Sequence, residues 1–180
     1  MKNQLRGINQ WQSLPGIKVE KPLPIREFHL QSDGSTLTTT ITTNPGFDVF
    51  ETNLVGLTWA AAKVVAAGYT IQVPHDYDEA NDHLIVKVKC LMSGATDTPT
   101  IAIEAFVDDD PSTDLAPDAI TALSATATWK EIDLSGNSLT AGDIVQLTFT
   151  PATHGTDAIE VYGMKMEYKS TLVAYSKSNR

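Results

Sequence analysis

The ten residues PHDYDEANDH, Pro74 to His83, crowd two histidines, three aspartates and a glutamate between two apolar runs. Residues of these types can hold zinc, hold calcium, or support metal-assisted hydrolysis through His75, Asp76 and His83. The spacing argues against each. His75 and His83 stand eight positions apart across a loop rather than four apart on one helix face, and no cysteine assists them. Asp76, Asp78 and Asp82 resemble a calcium loop, but Ala80 and Asn81 occupy the places where an EF-hand needs a ligand and its turn glycine, and no glutamate stands at the twelfth position. The stretch reads better as a corner. Pro74 cannot donate to a strand ladder and so stops the strand at Val73, and Asp76, Asp78, Asn81 and Asp82 favour Asx turns before alternation resumes at Leu84. In that reading His75 and His83 serve as hydrogen-bond partners or interface contacts.

Other candidates for chemistry are weaker. The run DDDPSTD at 108–114 could coordinate a cation, but a like-charged loop tip is more often solvated. No GxSxG elbow accompanies the serines, and His29, His75, His83 and His154 lack a neighbouring motif that would make one of them a base. Glu104 and Glu131 are no evidence for glycosidase chemistry in a chain this acidic. There is no GxGxxG and no P-loop, so neither an enzyme nor a cofactor is expected. Trp11, Trp59 and Trp129 could form a sugar-stacking platform, although core packing is the expected use of Trp59 and Trp129. Cys90, in an apolar alternating run, reads as a buried small hydrophobe.

The elements that must position these residues are strands. Leu84, Val86, Val88 and Cys90 alternate with Ile85, Lys87 and Lys89; Ile101, Ile103, Ala105 and Val107 with Ala102, Glu104 and Phe106; Val145, Leu147 and Phe149 with Gln146 and Thr148. In AIEVYGMKMEYKST the phase changes at Gly163, which predicts a β-bulge. FHL at 28–30 and STLTTTITT at 35–43 read as further strands, the second closed by NPG. LTWAAAKVVAAGY has a local helical composition but is assigned to strand on context, and one short helix fits around Pro117 to Leu123. Turn-forming segments separate the strands, so the expected fold is all-β, an antiparallel jelly-roll β-sandwich over 28–173 with a C-terminal tail at 174–180.

Residues 1–27 read as an extended N-terminal arm, because Pro15, Pro22 and Pro24 with Gly7 and Gly16 block a long helix. Residues 1–30 carry a net +3 and the remainder −12. The acidic body repels phosphate backbones, which argues against nucleic acid as a partner. No apolar run approaches a membrane span and no signal-peptide h-region is present, so no membrane partner and no export by that route are expected. The arm's Leu5, Arg6, Ile8, Trp11, Leu14, Ile17, Lys18 and Lys21 are expected to dock on a separate surface.

IQVPHDYDEANDHLIVKV, then WKEIDLSGNSLTAGDIVQLTF, then IEVYGMKMEYKSTLV, covering roughly 70–173, resembles the jelly-roll modules of tailed-bacteriophage virion proteins, especially capsid decoration (cement) proteins. That resemblance implies a homotrimer on the surface of an assembled capsid, made in the host cytoplasm, with the arm bridging subunits of the major capsid protein. The alternative within the same resemblance is a carbohydrate- or receptor-binding module of a phage fibre or tail.

Overall fold

In a computed structural model, residues 16–50, 54–115, 119–121 and 123–171 are described. They form eleven strands: β1 (Ile17–Leu23), β2 (His29–Leu30), β3 (Gly46–Phe50), β4 (Leu54–Trp59), β5 (Ala67–Gln72), β6 (Leu84–Met92), β7 (Ile101–Val107), β8 (Ala119–Ile120), β9 (Thr128–Asp133), β10 (Ile144–Pro151) and β11 (Ile159–Ser170). A six-stranded sheet has the order β3-β4-β11-β6-β9, with β1 also on β11, and a five-stranded sheet has the order β2-β5-β10-β7-β8. All described strand pairs are antiparallel. The molecule is therefore the expected all-β jelly-roll sandwich.

Alternation builds the core. Leu84, Val86, Val88 and Cys90 of β6 are buried while Ile85, Lys87 and Lys89 point outward. Facing them across the sandwich are Ile71, Ile103, Ala105, Val145, Leu147 and Phe149 from the second sheet. Phe28 packs edge-on to Tyr69 and Phe149, with ring centroids 4.9 and 5.1 Å apart. Trp59 is fully buried as expected, its indole N–H donating to the Val65 carbonyl at 2.8 Å. Burial pushes the Cys90 thiol up to about 11, which keeps it an unreactive hydrophobe.

The ladder between β6 and β11 shifts register between Val161 and Gly163, which places the bulge where the phase change in the sequence predicts it. The LTWAAAK segment is strand up to Trp59, then turns, and resumes as strand at Ala67.

Three expectations need correction. The arm assigned to 1–27 is not all arm: Ile17 to Leu23 form β1, paired with Met164–Ser170 of the same chain. β4 pairs with β11 only over Ile159–Val161, so β1 fills the edge that β4 leaves open. Pro22 is tolerated because β1 is an edge strand, and Val19, Leu23 and Ile25 pack against the core. The threonine run 35–43 is not a strand. Apart from a single bridge from Thr36 to His29 it is loop, with the Thr40 N–H donating to the Thr38 hydroxyl at 3.2 Å, the local side-chain bonding that competes with sheet pairing. Where a helix was expected around 117–123, the described residues instead give β8, pairing Ile120 with Ile101 and burying Ile120 and Leu123.

Candidate functional site

The histidine-rich corner spends its carboxylates on holding loops together. Asp76 accepts hydrogen bonds from the Ser170 and Tyr168 hydroxyls, and its carbonyl accepts the Thr171 N–H at 2.7 Å. Asp82 takes the Tyr77 hydroxyl at 2.7 Å and the Ser138 N–H at 3.1 Å, and Glu79 takes the Ala141 N–H at 2.9 Å. The hydrogen bond from Ser170 most strongly holds the Asp76 carboxyl below its ordinary range, with burial opposing and the Tyr168 hydroxyl assisting. These contacts tie the corner to β11 and to the loop before β10, the role that its turn chemistry implied. His75 and His83 are not drawn into one metal cluster with these acids, and among the described residues no group of three or more His, Cys, Asp or Glu could hold an ion. The DDDPSTD loop behaves similarly: Asp110 accepts the Ser112 N–H and hydroxyl, and Asp114 accepts the Ala105 N–H at 2.9 Å.

The outer face of the six-stranded sheet is different in kind. One register row runs Trp129 on β9, Lys89 on β6 and Gly163 on β11; the next runs Glu131, Lys87, Lys165 and Pro22. Core packing was the expected use of Trp129, yet its side chain is on the outside and 44% exposed, the only aromatic among the described large hydrophobics that are exposed. Its strand shows why. Ile132 is the one inward residue of β9 that is fully buried, and Trp129, three residues away, has the opposite phase.

The indole reaches across β6 towards β11. A Cβ added at Gly163 would lie 3.5 Å from Trp129 Cη2 and 3.4 Å from Lys89 Cβ, so the bulge glycine lies within contact reach of the end of the indole. The same bulge makes Tyr162 the extra residue of β11. Gly56 on β4 lies beside it: a Cβ there would approach the Val161 carbonyl oxygen at 3.1 Å and make ordinary contact with Tyr162 Cβ at 3.5 Å. The Lys89 ammonium sits 5.9 Å from the Trp129 ring centroid and 5.4 Å from that of Tyr162, and Lys165 sits 5.0 Å from Trp129. An exposed indole with a polar rim of ammonium and phenol groups is a stacking surface with hydrogen-bond donors at its edge.

Further along this face, Glu167 on β11 is the buried hub of an ion network. Lys18, Lys87 (3.0 Å) and His83 (3.1 Å) converge on it, and Lys87 also meets Glu131 at 3.0 Å. Burial opposes its charge, but hydrogen bonds from Lys18, Lys87 and His83 outweigh this and hold the carboxyl at about 2 against an ordinary 4.5. A depressed carboxyl contributes stability in full above its unfolded value and loses it as pH falls towards the folded one. Chemical denaturation of wild type and Glu167→Gln across this range is expected to show the variant less stable above about pH 4.5, the two converging as pH approaches about 2.

The other sheet's outer face offers no exposed ring among its described residues, and several of its polar groups bond one another, although the buried Thr148 hydroxyl has no hydrogen-bond partner among them. Thr70 donates to Gln146 at 2.7 Å, and Gln146 Nε2 lies 3.3 Å from His29 and 3.4 Å from Gln31. Of the residues expected to grip a partner, Leu5, Arg6, Ile8, Trp11 and Leu14 lie outside the described residues. Ile17, Lys18 and Lys21 are exposed on β1, and the Lys18 ammonium is engaged by Glu167 of its own chain.

No family model and no curated protein sequence matches the chain. Solved structures do. A xylan-binding module, CBM15, superposes with a TM-score of 0.56 at 13% identity, covering 84% of this chain and 97% of that one. A mutant of Xylanase10C from Cellvibrio japonicus, in complex with xylopentaose, superposes with a TM-score of 0.52 at 14% identity, covering 88% of this chain and 29% of the xylanase. At such identities the likeness is one of fold, the all-β jelly-roll sandwich. The match over nearly the whole length is to a binding module, and the other is to part of an enzyme chain.

These matches overturn the resemblance to phage capsid decoration proteins, and with it the capsid-surface role. The motifs that suggested it, VPHDY and the strand pair around IDLSG, are seen here to encode a hydrogen-bonded corner and strand alternation. Any antiparallel sandwich needs such features, and they specify no partner. Trp129 is the residue that reading the sequence misplaced. The signal within its own strand was phase: Ile132 is the buried residue of β9, and a residue three positions away in a strand faces the other side.

Proposed function

We propose that this chain is a carbohydrate-binding module that lays a polysaccharide across the outer face of β1, β11, β6 and β9, with Trp129 as the stacking surface. The observation that carries the reading is the 44% exposed indole of Trp129, held over the sheet beside Tyr162, Lys89 and Lys165. Sugar rings present an apolar face and a hydroxyl rim, so an aromatic platform edged by donors complements both. The sandwich fold shared with a xylan-binding module supports the same reading.

We assign binding to this face and no cleavage: general acid catalysis needs a carboxyl raised towards neutrality, whereas Glu167, the buried acid among the ion pairs, is held charged by its cationic partners. Affinity electrophoresis against soluble xylan, mixed-linkage β-glucan, galactomannan and polygalacturonate, with pull-down on insoluble cellulose, tests the proposal. Retardation by at least one polysaccharide without release of reducing sugar is expected. Unaltered mobility in every gel, with no cellulose binding, would overturn it.

A further inference from the structure

The lysines of this face are not equivalent. Lys18 and Lys87 are balanced by the two carboxylates Glu167 and Glu131, and Lys165 pairs with Glu20 at 2.8 Å. Lys89 has no carboxylate partner among the described residues. Its ammonium is held instead between two aromatic rings, those of Trp129 and Tyr162. A cation–π contact fixes an ammonium without cancelling its charge. The result is a positioned, uncompensated cation at the edge of the stacking surface, with a second ammonium, that of Lys165, 5.0 Å from the same indole. The Lys165 partner, Glu20, is half-exposed, and an exposed ion pair is weak enough for a ligand carboxylate to replace it.

We infer that the face selects polysaccharides bearing carboxylates, that is, uronate residues in or on the glycan chain, and that Lys89 is the specificity-determining residue with Lys165 in support. This rests on the carbohydrate-binding reading of the same face. A sugar stacked on Trp129 brings a C5 carboxylate or a uronate branch to the ring's edge, where a charge-assisted hydrogen bond to an ammonium is shorter and stronger than one to a neutral donor. The chain's net charge of −9 does not forbid this. At physiological ionic strength, charges beyond a screening length of about 8 Å contribute little, so the ammonium in contact decides.

Isothermal titration of the full chain with glucuronoxylan, with the same polymer after carboxyl reduction, and with dextran sulfate as a polyanion control, tests the inference. The carboxylated polymer is expected to bind about tenfold more tightly than its reduced form, with the advantage shrinking as sodium chloride is added. The affinity ratio is expected to fall to about one in Lys89→Gln and to persist in Lys89→Arg, with thermal melts confirming that both variants fold. Equal affinity for the carboxylated and reduced polymers would overturn the inference while leaving the module reading intact. Equal or tighter binding of dextran sulfate would overturn it by showing charge attraction without carboxylate recognition. Failure of every polysaccharide in the wider panel to bind would remove the module reading itself.

Discussion

Trp129→Ala is expected to abolish retention of the chain on every polysaccharide that retards the wild type, while the protein remains folded. An aromatic anchor at the centre of a binding face commonly accounts for 2 kcal/mol or more of affinity, which is about a thirtyfold loss at about 1.4 kcal/mol per tenfold. For a module that binds weakly, this takes retention below detection. The folding cost is small by comparison. Trp129 lies outside the core and is 44% exposed, so losing its ring contacts with Lys89 and Lys165 is expected to cost about 1 kcal/mol of stability. Trp129→Phe should retain part of the binding, because a smaller ring still offers a stacking face. Affinity electrophoresis beside a thermal melt separates the two effects. A fully folded Trp129→Ala variant that binds like wild type would move the site elsewhere.

The opposite tryptophan should show the opposite separation. Trp59→Ala is expected to destabilise the fold by about 3–5 kcal/mol, the usual cost of removing a large aromatic from a packed interior. In a domain of this size that lowers Tm by roughly 6–20 °C. Trp59 is fully buried, and its indole N–H ties the Val65 carbonyl at 2.8 Å, so its loss leaves a cavity and also frees the connection between β4 and β5. Trp59→Phe, which fills more of the space but lacks the N–H, should fall between. Where the variant remains folded, binding by the Trp129 face on the outer side of the sheet should persist. Differential scanning calorimetry and affinity electrophoresis on the same samples test both statements.

Much of the sandwich was legible because a period of two in a long segment has few physical meanings. β6, β7, β10 and β11 all appear where alternation put them, and the Gly163 bulge falls at the phase change. What was not legible depends on contacts between distant segments. Nothing within residues 17–23 says that β11 has an open edge waiting for them, because that vacancy arises from β4 pairing with β11 only over Ile159–Val161. Threonines at 38–40 have strand propensity, but their hydroxyls can satisfy the backbone locally, and only the assembled sheet decides which wins. Trp129 was misplaced for a related reason. An aromatic residue in a strand has the same composition signal whether its phase is inward or outward, and here the fully buried Ile132 sets the phase. The candidate site was thus visible as residue types, while its assembly from four strands was not.

The pairing of β1 with β11 has a mechanical consequence. Ile17 lies opposite Ser170, so these two strand ends sit side by side at one end of an antiparallel pair. Tension applied between the segment before Ile17 and the segment after Ser170 loads the backbone bonds of that pair in sequence rather than all together. β1 then peels away like a zip fastener under modest force, and the stacking surface on its neighbours loses one flank before the remaining strands bear any load.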